Sequence, residues 1–98
     1  MRTPSGSRNR MDRETAETIA AQGLAFLAED RARLHHFLQT TGLEPADLRA
    51  RAGAPDMLLA VLEHLAGDES LLLVFAEARK LAPESISQAV ALLQGTAQ

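Results

Sequence analysis

The second half of this 98-residue chain repeats the first at a distance of 38 residues. With that shift Leu24, Leu27, Ala28, Asp30, Leu34, Phe37, Leu43 and Pro45 fall on Leu62, Leu65, Ala66, Asp68, Leu72, Phe75, Leu81 and Pro83, and Leu48 falls on Ile86. Apolar anchors at helical spacing, a capping aspartate and a turn proline are what a three-helix unit needs. The repeat therefore constrains the chain to an all-α fold: a compact bundle of about six short helices, arranged as two related three-helix units. It says little about chemistry.

The local signals place each helix. Asp12 caps a first helix over 13–28 with an apolar stripe of Ala16, Ile19, Ala20, Gly23, Phe26 and Leu27. Gly23 costs about 1 kcal/mol relative to Ala inside a helix, which a close helix crossing would explain. Asp30 caps a second helix ending at Thr41, with Leu34, Phe37, Leu38 and Thr41 inward and Gly42 suited to a left-handed stop. Pro45 opens a short third helix with Ala46, Leu48 and Ala52 inward, stopped at Gly53. Pro55 opens a fourth, running to Ala66; Asp68 caps a fifth, which closes near Lys80; Pro83 opens a sixth that fades at Gly95. No strand pattern is present. The expected organisation is a disordered basic arm over 1–11, one helical domain over 12–95 and a frayed end over 96–98. Met11 is a candidate translation start, because the patterned sequence begins immediately after it.

Composition narrows the function classes. There is no cysteine, so disulfides, thiolate metal sites and cysteine nucleophiles are excluded. No apolar run approaches the roughly 20 residues of a membrane span, and the basic start lacks the apolar stretch of a signal peptide, so the expectation is a cytoplasmic protein with no membrane contact. Arg2, Arg8 and Arg10 precede Met11; from there on seven Lys and Arg stand against thirteen Asp and Glu, a net charge of −6. A body this acidic repels phosphate backbones, which weighs against nucleic acid.

Reactive constellations are scarce. His35 and His36 are adjacent and diverge on a helix, His64 lies on another helix, and no metal-ligand spacing occurs, so they read as surface or edge histidines. Asp12, Asp30 and Asp68 fit caps, while Glu14, Glu17, Asp56, Glu69 and Glu84 lie in first helical turns, where the helix dipole favours negative charge. Ser70, after Asp68 and Glu69, has neither an elbow nor a partner histidine around it. No cofactor and no catalytic residue is expected, and the chain does not read as an enzyme; a pocket between the halves that gathers His35, His36 or His64 with acids would be the sign of one. The segment 31–52 has the outline of a helix-turn-helix reader carrying Arg49 and Arg51, although Glu44 and Asp47 stand at the end that would meet the bases.

Apolar residues are in surplus on two helices. The fifth is apolar on nearly every side from Leu71 to Ala76, and the fourth is similar around Met57, Leu58, Leu59, Val61 and Leu62. A helix apolar all round is buried all round, which places the fifth at the centre of the domain with the first three packed against it. The competing expectation is a partner surface formed by Leu58, Leu59, Leu73 and Val74.

Five stretches, Glu17-Thr18-Ile19-Ala20, Leu24-Ala25-Phe26-Leu27-Ala28, Phe37-Leu38-Gln39-Thr40-Thr41-Gly42-Leu43, Leu48-Arg49-Ala50-Arg51-Ala52 and Asp68-Glu69-Ser70-Leu71-Leu72, carry a resemblance. They resemble the short alphaproteobacterial proteins grouped as domain of unknown function 3572, and the likeness covers nearly everything after Met11. It implies a small, soluble bacterial helical protein and brings no catalytic residues with it. The leading expectation is a non-enzymatic helical module that binds an unidentified protein or a second copy of itself. The alternative is a DNA-binding regulator that uses segment 31–52.

Overall fold

The computed structural model describes residues 11–96. The first ten residues of the expected arm and residues 97–98 lie outside that range. Six helices follow one another: α1 (Arg13–Ala28), α2 (Arg31–Thr41), α3 (Pro45–Arg51), α4 (Pro55–Ala66), α5 (Glu69–Arg79) and α6 (Pro83–Thr96). Among the described residues there is no strand. Met11, counted with the arm in the sequence, packs against the core.

Local chemistry sets the helix ends. Asp12 accepts a hydrogen bond from the Thr15 N–H at 2.8 Å, Asp30 from those of Ala32 and Arg33 at 2.9 and 3.2 Å, and Asp68 from that of Leu71 at 3.1 Å. Each satisfies donors that the first turn leaves open. α2 stops at Gly42, whose φ is 78°. The residue 38 positions on is Lys80, and it takes the same left-handed conformation at φ 58°. There the Leu81 N–H reaches back to the Ala76 carbonyl at 2.8 Å and closes the α5 terminus. A side chain in this region carries a steric cost that glycine avoids. Lys80→Gly should therefore stabilise the fold by about 0.5–1 kcal/mol, read as a higher urea midpoint with an unchanged slope.

α1, α4 and α6 pack on one another and form the centre; α2 lies on α1, and α5 on α4 and α6. The core joins Ala16, Ile19, Ala20, Phe26 and Leu27 of α1 with Val61, Leu62 and Leu65 of α4 and Ile86, Ala89 and Leu93 of α6. This corrects the placement of the fifth helix at the centre. α5 is peripheral, burying only Phe75 and Ala76 fully. Two causes act together. Ala16, Ala20 and Gly23 give α1 a low face that α4 and α6 can approach closely. α6 has 14 residues where its counterpart α3 has 7, so it reaches across both central helices and takes the place expected for α5. Thr41, expected inward, is exposed, and its hydroxyl donates to the Phe37 carbonyl at 2.8 Å. Ala46 is exposed as well, and α3 buries no residue fully.

For α1, α2, α4 and α5 the packing parallels the 38-residue shift, whereas α3 and α6 do not pack alike. α1 meets α2 as α4 meets α5, and the lighter contact of α1 with α5 matches that of α2 with α4. α1 and α4 cross at Gly23, where an added Cβ would lie 2.8 Å from Leu65 Cδ1 and 3.1 Å from Val61 Cγ1. Val61 is the residue that the shift pairs with Gly23. The close crossing expected from Gly23 is thus present, and it lies where the two halves meet.

Candidate functional site

Two places on the molecule offer something beyond packing. The first is the outer face of α5. Among the described residues, Leu73 and Val74 are the large apolar side chains left exposed, at 47% and 48%. They sit side by side, with exposed Ser70 and Glu77 one turn before and after on the same stripe. The other two residues expected to share this surface do not join them. Leu58 is 6% exposed and part of the core, and Leu59 is half-buried against it. The apolar surplus of α4 is therefore core; that of α5 is core on one side and surface on the other.

The second place lies between α2 and α4, helices whose pairing is not local in the chain. Phe37, fully buried, stands edge-on to the His64 ring at 5.1 Å between centroids, and His36 lies against the same ring at 5.3 Å. The other half holds the equivalent contact between Phe75 and Phe26, at 5.3 Å. His64 is the residue that the shift pairs with Phe26, so an imidazole occupies a position where the first half has a phenyl ring. That substitution was visible in the sequence, but only to a reader who had already paired α2 with α4. On the first-half side the Arg33 guanidinium covers Phe26 at 4.2 Å, and Arg79 Nη2 donates to Glu29 Oε2 at 2.9 Å.

An open cleft of about 460 Å³ runs beside the histidines, lined by His36, Thr40, Glu63, His64, Asp68 and Glu69. Glu63 accepts from Gln94 Nε2 at 2.9 Å. Burial pushes the His64 imidazole below its ordinary value, the neighbouring His36 adds to that, and Asp68 opposes both. Its Nε2 is shielded from solvent and has no hydrogen-bond partner. The enclosed Nε2 cannot itself pass a proton to a molecule in the cleft. The cleft does gather His36 and His64 with Glu63, Asp68 and Glu69, the arrangement expected of an enzymatic pocket between the halves. Among the described residues no group of three or more His, Cys, Asp or Glu is arranged to hold a metal ion.

Segment 31–52 offers little to a DNA groove. The Arg51 guanidinium is paired with Asp56, holding that carboxyl below the usual range, and Asp47 accepts from the Glu44 N–H at 3.0 Å at the start of α3. Arg49 is exposed. Among the described residues α3 has no extensive contact with α2, which a helix-turn-helix needs to fix its second helix. No helix of the described residues is long and apolar enough to cross a membrane.

The family model described as "Protein of unknown function (DUF3572)" matches residues 13–96, from the first residue of α1 to the last of α6. The chain belongs to the DUF3572 family. The match takes in all six helices, both aromatic contacts and the exposed stripe of α5. No curated protein and no solved structure matches the chain.

Proposed function

We propose that this protein is a small non-enzymatic interaction module of the cytoplasm that docks another protein, or a second copy of itself, through the outer face of α5. The observation that carries this reading is the pair Leu73 and Val74, left half in water while the other large apolar side chains of the described residues are tucked against the core. Burying a Leu or Val completely is worth about 1.5–3 kcal/mol, and roughly half of each remains to be buried. The pair therefore supplies about 2 kcal/mol, enough for an anchor and too little for a whole interface. Ser70 and Glu77 supply the start of a polar rim.

Leu73→Ser/Val74→Ser tests this reading without touching the core. Its unfolding free energy should stay within about 0.5 kcal/mol of the parent. The parent chain should retain a specific protein from host extract, or dimerise in light scattering, and the double variant should do neither. A parent that is strictly monomeric and retains nothing, or a double variant that binds as well as the parent, removes the reading.

A further inference from the structure

We infer that the α2–α4 contact is an acid-labile clasp: protonation of His64, whose ring faces His36, loosens α2 from α4 and uncovers Phe37. Three observations meet here. The two imidazoles are in ring contact across the interface, so a charge on His64 is set against the His36 ring, which opposes it. His64 Nε2 is enclosed with no acceptor, so a proton added there would make a buried donor without a partner. α2 is held chiefly on α1, and its α4 side depends on Phe37, its one fully buried residue, whose ring meets His64.

The charged and titratable surroundings do not reverse this. His36 comes from α2, Glu63 from α4 itself, and Asp68 and Glu69 from the start of α5. Glu63 is engaged by Gln94 of α6, and Asp68 already accepts the cap hydrogen bond from Leu71. α1 lines no part of the cleft among the described residues. The imidazole of His64 is held below its ordinary value in the fold, so its contribution is fully present above about pH 6.5 and is lost as the pH falls below that. The opening is local, because α1 and α6 carry no histidine, His64 stands in the last turn of α4, and the buried core of the three helices is apolar. Histidine pairs at an interface are a general means of switching it near neutral pH.

Hydrogen exchange of the full chain at pH 7.5 and 5.0, expressed as protection factors, tests the clasp. Amides of the second half of α2, Phe37 to Thr41, should lose at least about tenfold more protection than those of α4 and α6. His64→Phe, which installs the ring found at the equivalent Phe26, should abolish that excess loss. His36→Gln, at an exposed position that does not threaten folding, should reduce it, and His35→Gln should leave it unchanged. An acid loss shared evenly by all helices, or an α2-specific loss undiminished in His36→Gln, overturns the inference.

Discussion

Phe75→Ala should destabilise the protein by about 4–5 kcal/mol, and Phe37→Ala by about 3 kcal/mol, on a fold whose total stability is of the order of 5–8 kcal/mol. Both rings are fully buried, so both substitutions lose the transfer free energy of a phenyl group and leave a void. The difference lies in how each void can be filled. Phe75 is enclosed by Phe26 and by the α1–α4 crossing at Gly23, a rigid apolar setting that cannot relax inward. Phe37 stands against His64 at the edge of an open cleft, so water and a polar ring can take up part of the space. Urea unfolding followed by far-ultraviolet circular dichroism measures both. A change below 1 kcal/mol at either position would mean that the inner face has been assigned wrongly.

Gly23→Leu should cost about 2–3 kcal/mol in the same measurement, whereas Gly23→Ala should be close to neutral. The first added carbon meets the end of Leu65, which can rotate aside, and Val61, which is stiff at χ1 in a helix. For alanine that strain is offset by about 1 kcal/mol of helix propensity. Leucine places three further carbons in the crossing, where α1 and α4 leave no room, and must part the helices. A Gly23→Leu protein as stable as the parent would show that the crossing is looser than the distances indicate.

Much of this fold can be read before any coordinates are seen, for a definite reason. Asp30, Asp68, Gly42, Pro45 and Pro83 act on backbone groups within a few residues, so their meaning does not depend on the rest of the molecule. The order of the helices in space is different in kind. Leu71 to Ala76 and Met57 to Leu62 look alike as text, yet one segment lies at the rim and the other at the centre. What separates them is the length of α6 and the small residues of α1, features that lie outside both segments. Leu58 is core for that reason, whereas Leu73 and Val74, which look like it in the sequence, stand half in water. The contact between His36 and His64 was hidden in the same way, because it joins residues 28 positions apart on helices whose pairing is not local.

The two aromatic contacts make the ends of a near-symmetric scaffold unequal. One end is closed by Phe26 on Phe75, with the Arg33 guanidinium over Phe26 and the Arg79–Glu29 pair beside it, and no histidine takes part. The other is closed by a phenyl ring on an imidazole, so the same architecture has at that end a fastening whose strength depends on its surroundings. Two residues, His64 where the mirror position holds Phe26 and His36 where it holds Val74, separate the adjustable extremity from the other.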